Sequence, residues 1–136
     1  MNIDLSKLKT ADDKFKEAKA AKLHAVNSLR DQKEAAGFPY LGKTFDSDER
    51  SAARIFGAVQ AAQAALSAGQ PFVIDWTVQD NTTVTMDGAA TIGMSVAMVQ
   101  HAGALHAWAR TLKDQIAAVS TQAALDGIDI GTGWPA

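Results

Sequence analysis

The sequence predicts an α+β protein, mostly helical, with a long N-terminal helix, a small antiparallel sheet of hairpins and a long C-terminal core helix. Three observations carry this. Residues 6–36 hold neither glycine nor proline and are filled with Ala, Lys, Glu, Leu, Gln and Arg, all good helix formers. Two stretches, Phe38 to Phe45 and Pro71 to Met86, instead alternate aromatic or β-branched residues around turn residues. From Gly88 to Val119, large apolar residues return at helical spacing.

The first helix is expected from about Ser6 to Ala36, where Gly37 stops it. Leu8, Phe15, Lys22 and Leu29 fall seven apart, as do Ala11, Ala18, Ala25 and Gln32, the a/d pattern of a coiled-coil seam. Lys22 and Gln32 weaken that seam. A helix with so narrow an apolar stripe is marginal alone and gains stability against a second helix, which either its own domain, a copy of itself or a partner supplies.

Phe38-Pro39-Tyr40-Leu41-Gly42-Lys43-Thr44-Phe45 sets aromatics on either side of a Leu-Gly turn, the composition of a short hairpin. Asp46 or Ser47 then caps a second helix, with Glu49 three residues after Asp46 as a variant capping box. Ile55, Val59, Ala62 and Leu66 form its apolar face, and Ser67-Ala68-Gly69 ends it. Phe72, Ile74 and Trp76 share one side of a half-buried strand; Asp80-Asn81 turns the chain; Val84 and Met86 continue the same side of a second strand. Together with the first hairpin, these strands are expected to make the small sheet.

Asp87 is a good N-cap for the long helix, whose stripe is Met94, Met98, Leu105, Trp108, Leu112, Ile116 and Val119. Ser120 or Thr121 recaps the chain for a short helix that ends at Gly127. The expected organisation is therefore a heptad helix over residues 1–36, an α+β core domain over 37–128 and a flexible tail over 129–136 in which Trp134 is free to dock.

With 136 residues and 47% hydrophobic content, the chain can bury one core. The absence of cysteine excludes disulfides, thiolate metal sites and cysteine nucleophiles. A formal net charge of −2 from 13 basic and 15 acidic residues supplies no field for nucleic acid. The polar N-terminus predicts no secretory signal, no run reaches bilayer length, and a cytosol-like compartment without membrane attachment is expected.

Candidate chemistry is sparse. His101 and His106 are five residues apart, about 140° around a helix, so they cannot share a metal as an i, i+4 pair does, and His24 lies on another helix. The acidic run Asp46, Asp48, Glu49 lacks the glycine and closing glutamate of a calcium loop and suits helix capping. Asp75, Asp80 and Asp87 surround the second hairpin; turn and cap roles account for the last two and leave Asp75 without one. Gly127, Gly131 and Gly133 precede no Lys-Ser/Thr, and no serine sits in a nucleophile elbow. The sequence thus predicts no catalytic residues, no cofactor and no metal.

Three stretches carry a resemblance. They are Phe38-Pro39-Tyr40-Leu41-Gly42-Lys43-Thr44-Phe45-Asp46-Ser47-Asp48; Trp76-Thr77 with Asp80-Asn81-Thr82-Thr83-Val84-Thr85-Met86; and the helix text from His101-Ala102-Gly103 to Asp114-Gln115-Ile116. In order and spacing they resemble an uncharacterised domain family of tailed bacteriophages and prophages, encoded beside tail-fibre genes and sometimes attached to a segment like that of tail-fibre assembly proteins. The resemblance covers roughly Phe38 to Ile128. Only the heptad helix precedes it here, with no recognisable assembly-protein segment.

That resemblance implies a tail-associated structural protein, made in the host bacterial cytoplasm and located in the virion tail, that works as a protein–protein docking module rather than an enzyme. Its expected partner is a tail-fibre or baseplate protein, with a homo-oligomer built on the heptad helix. The expected partner-binding residues are Leu8, Phe15, Val26, Leu29, Phe38, Tyr40, Phe45 and Trp134. A second expectation is a tail-fibre assembly factor absent from the mature virion, holding an immature fibre through the aromatic hairpin. A third is a small carbohydrate-binding module or hydrolase using Trp76, Trp108 or Trp134 as a stacking platform.

Overall fold

Thr10 opens the first helix. In a computed structural model that describes residues 9–136, its hydroxyl accepts from the Asp13 N–H (3.1 Å) while the Asp13 carboxylate accepts from the Thr10 N–H (3.3 Å), a full capping box. Helix α1 therefore spans Ala11–Ala35 and begins later than the expected start at Ser6, which itself lies outside the described residues. Gly37 follows at φ 118, where a Cβ would stand 2.8 Å from the Phe45 carbonyl oxygen, so only glycine fits between α1 and the hairpin.

Strands β1 (Phe38–Tyr40) and β2 (Lys43–Phe45) pair antiparallel with Phe38 opposite Phe45. Leu41 and Gly42 both take positive φ, 50° and 75°, as a two-residue hairpin turn that follows the twist of its strands requires. Helix α2 spans Glu49–Ser67 with Asp48 as its N-cap, not Asp46 or Ser47 as expected. For Ser47 the physical reason is a tertiary contact: its hydroxyl donates to the Glu34 carbonyl in the last turn of α1. Strands β3 (Val73–Thr77) and β4 (Thr83–Asp87) place Ile74 opposite Met86 and Trp76 opposite Val84 on the inner side. The two hairpins remain separate two-stranded sheets, linked by the Gln79 N–H donating to the Thr44 carbonyl (3.0 Å) and by Lys43 paired with Asp80 (3.0 Å).

Asp87 caps helix α3, Gly88–Ala118, by accepting from the Ala90 N–H at 2.8 Å. Thr91 is the one buried polar residue there, and its hydroxyl is satisfied by the Asp87 carbonyl (2.7 Å). Thr121 caps the short helix α4, Gln122–Asp126, in the same manner. The architecture is thus α+β and mostly helical, with α3 as its spine.

The core is divided in two along that spine. Phe38, Phe45, Ile55, Val78, Met86, Met94 and Met98 pack where α2 and the hairpins cover the first half of α3. Val26, Ala109, Leu112, Ile116 and Leu125 pack where α1 and α4 cover the second half. Both covering helices run antiparallel to α3. Lys19 of α1 reaches the carbonyls of Ala117 and Val119 while Glu34 reaches His106, and Leu66 of α2 lies at Gly88 while Ala52 meets the level of Met98 and Ala102. Helices α1 and α2 therefore lie end to end, meeting at the middle of α3.

Two expected core positions differ. Leu66 is exposed although it lies at Gly88, where the missing side chain leaves it uncovered, and Phe72 precedes β3 instead of belonging to it. The segment 129–136, expected as a flexible tail, lies along the second core, with Ile130 and Trp134 packed against it. The Trp134 ring N–H donates to the Ile130 carbonyl (2.8 Å), and the Lys33 ammonium stands 5.8 Å from the ring centre.

Candidate docking surfaces

Of the described heptad positions of α1, Phe15 and Ala18 pack on the second core, whereas Ala11 and Gln32 are exposed. Val26 is wholly buried against α3, so it is a core residue and presents nothing to a partner, contrary to the expected role. Phe15 is half-buried on the same core with the Lys19 ammonium 5.3 Å from its ring centre. Leu29 is half-buried outside both clusters, and Leu8 lies outside the described residues. Lys22, which interrupts the seam in sequence, donates to the Leu125 carbonyl at 2.6 Å; with Lys19 it satisfies the carbonyls that end α3 and α4.

The aromatic hairpin is also turned inward. Phe38 and Phe45 are buried with ring centres 5.7 Å apart, so they cannot form the gripping surface expected of them. Tyr40 is half-buried, edge-on to Phe45, and its hydroxyl donates to the Ala90 carbonyl (2.7 Å). Burial first, and the Asp87 carboxylate second, push its phenol above the ordinary value.

What the junction of α1, α2 and α3 leaves open is an apolar groove of about 220 Å³. Phe38, Ala52, Met98 and Ala102 line it, with the polar Glu34, Ser47 and His101. Phe56 and Val99 also line it, 51% and 59% exposed, and leaving that apolar surface in water is unfavourable. His101 and His106 take different neighbours: His101 borders the groove, whereas His106 pairs with Glu34 at 2.8 Å. Sequence reasoning missed Phe56 and Val99. Each stands one position beyond a residue of the apolar stripes, and that adjacency, a large apolar side chain beside a complete core face, was the available signal.

A second, more polar cleft of about 230 Å³ runs beside β3, between Asp46, Ser51 and Arg54 on one wall and Ile74 to Thr77 on the other. Asp75 here finds a partner in the Thr85 hydroxyl, 2.6 Å across the hairpin. Among the described residues no group of three His, Cys, Asp or Glu side chains is placed to hold a metal. No described helix is long and apolar enough to cross a membrane.

A family model described as Domain of unknown function (DUF4376) matches residues 17–132, and the chain belongs to that family. The match runs through α1, both hairpins and α3 without a break at residue 36 or 128. No curated protein and no solved structure matches the chain.

Proposed function

We propose that this chain is a tail-associated structural protein of a bacteriophage or prophage, and that it acts as a docking module through the groove between α1, α2 and α3. The tail context rests on the resemblance of its three sequence stretches; the docking role rests on Phe56 and Val99, exposed beside an apolar groove. A volume of about 220 Å³ takes one large aliphatic or aromatic side chain, not a whole helix. The partner is accordingly a tail-fibre or baseplate protein that inserts one such anchor. Burying Phe56, Val99 and the anchor together removes apolar surface from water, the main favourable term in such association. The expected homo-oligomer through the α1 seam has less to support it, since Phe15 and Ala18 of the seam, and Val26 beside it, already pack on the second core.

The test uses the full chain and a Phe56→Asp, Val99→Asp double variant, each mixed with the purified fibre and baseplate proteins encoded beside it. Both positions are exposed, so the variant keeps its helical circular dichroism and melting temperature. Co-elution of the native chain with one of those proteins, lost in the variant, supports the reading. Co-elution that survives both charges, or none with any tail protein, refutes it. Mass spectrometry of purified virions then separates a structural part, present in fixed copy number, from an assembly factor left behind.

A further inference from the structure

The hairpin β3–β4 has an open side. The Val78 N–H donates to the Thr82 carbonyl at 2.9 Å, and this closing bond sets the alternation along an antiparallel pair. Ile74 and Trp76 direct their main-chain groups towards β4; Val73, Asp75 and Thr77 direct theirs away. Among the described residues no hydrogen bond reaches those outward N–H and C=O groups, and β3 pairs with no strand except β4. The polar cleft borders four consecutive residues of β3 and none of β4, so it follows the outer edge of the strand, not one of its faces.

Chemistry on both walls says what would fit. Asp46, Asp75 and Arg54 line the cleft, and none of the three belongs to an ion pair among the described residues. Two carboxylates against one guanidinium leave a negative balance. Asp75 lies on the outer face of the hairpin, where the residue directly opposite on an added strand would stand beside it. Two positions earlier on that face is Val73, 68% exposed.

We infer that the outer edge of β3 is a strand-addition site for an extended segment of another protein, with Lys or Arg opposite Asp75 and an aliphatic residue opposite Val73. Main-chain hydrogen bonds to Asp75 and Thr77 supply the attachment, and the two side-chain positions supply selectivity. The edge is five residues long, so it serves a short motif and not a long β-segment. This surface is separate from the apolar groove and does not depend on it.

The probe is the peptide acetyl-Thr-Thr-Thr-Lys-Thr-Val-Thr-amide, which in antiparallel pairing sets Lys against Asp75 and Val against Val73. Amide hydrogen exchange of the full chain is followed by NMR as the peptide is titrated to millimolar concentration. The amides of Asp75 and Thr77 slow by about tenfold or more, as expected for new strand hydrogen bonds. A peptide N-methylated at the Lys has no such effect, and one with Glu in its place binds several-fold more weakly. The Asp75→Lys variant, which lies on the exposed face and gives up the hydrogen bond from the Thr85 hydroxyl, reverses that preference; a retained cooperative melt certifies its fold. Unchanged β3 amides at millimolar peptide overturn the proposal, as do methylated or Glu peptides that work equally well. If the same amides are already slow without peptide and quicken on dilution, the edge is occupied by a second copy of this chain and the inference is overturned in favour of self-pairing.

Discussion

The Tyr40 hydroxyl oxygen lies where a Cβ on Gly93 would come within 2.5 Å of it, so the first hairpin and the second turn of α3 approach as closely as a glycine allows. The same hydroxyl donates to the Ala90 carbonyl (2.7 Å). Gly93→Ala sets two effects against each other. Alanine in a helix interior stabilises by about 1 kcal/mol over glycine, but the methyl group displaces the phenol, breaks a hydrogen bond worth about 1 kcal/mol and disturbs the packing of Tyr40 on Phe45. The displacement wins, with a net loss of about 1 kcal/mol. In a Tyr40→Phe background the offending oxygen is gone, and Gly93→Ala is neutral or stabilising. Urea midpoints of the four proteins in this cycle check the change of sign; equal effects in both backgrounds refute it.

Gly133 and Trp108 make a comparable contact at the other end of α3. Gly133 has φ 83, and a Cβ there would stand 2.5 Å from Trp108 Cζ2, a rigid ring atom. Gly133→Ala therefore releases the last residues instead of compressing the ring. The expected signs are a red shift in tryptophan emission as Trp134 meets water and faster cleavage by a protease near the C-terminus. The melting temperature falls little, because a terminal segment opens without unfolding the core. A large drop in melting temperature with an unshifted spectrum contradicts this.

Helix α3 was readable in the sequence because its signals are local: Asp87 caps it, and Met94, Met98, Leu105, Leu112 and Ile116 repeat at helical spacing and are all buried. Both hairpins were readable from turn chemistry at Leu41-Gly42 and Asp80-Asn81. The end-to-end arrangement of α1 and α2 was not, since it depends on pairs far apart in sequence, such as Lys19 with Val119 and Glu34 with His106. Lys22 shows why. As a seam residue it reads as a defect, and only the return of α4 supplies the Leu125 carbonyl that makes it a cap. The groove escaped for the same reason, because three helices separated in sequence by the hairpins create it.

Acid should loosen the link between the hairpins. The Thr82 hydroxyl first, then the Thr82 N–H and Lys43, hold the Asp80 carboxyl at about 2, below its ordinary 3.8. A depressed folded value means that the ionised group stabilises the folded state above about 3.8, and that this contribution is lost as pH falls through about 2. Stability of the native protein therefore declines across that window more steeply than stability of Asp80→Asn, which has no proton to take up. Carboxyl-carbon NMR shifts of Asp80 locate the midpoint directly. A midpoint near the ordinary value, or identical acid slopes for both proteins, rules the account out.

The heptad spacing of α1 makes opposite predictions depending on what covers it. If the expected contacts of α1, Val26 beside the seam among them, serve a partner or a second copy, truncating one changes the mass of the particle and leaves the stability of the lone chain alone. Val26 has no exposed surface and packs with Leu112, Ile116 and Leu125, so removing two methyl groups leaves a cavity inside one chain. Val26→Ala is expected to cost about 2 kcal/mol of unfolding free energy, with the mass by light scattering unchanged. Deleting residues 9–36 goes further, because it strips the cover from α3's second half and removes the lysines that cap α3 and α4. The shortened chain should lose a large part of its helical signal or aggregate through the uncovered face. A truncated chain that stays soluble with a sharp melt at the native temperature would show that α1 is an accessory arm, and the family match that begins at residue 17, inside α1, makes that outcome the one not expected.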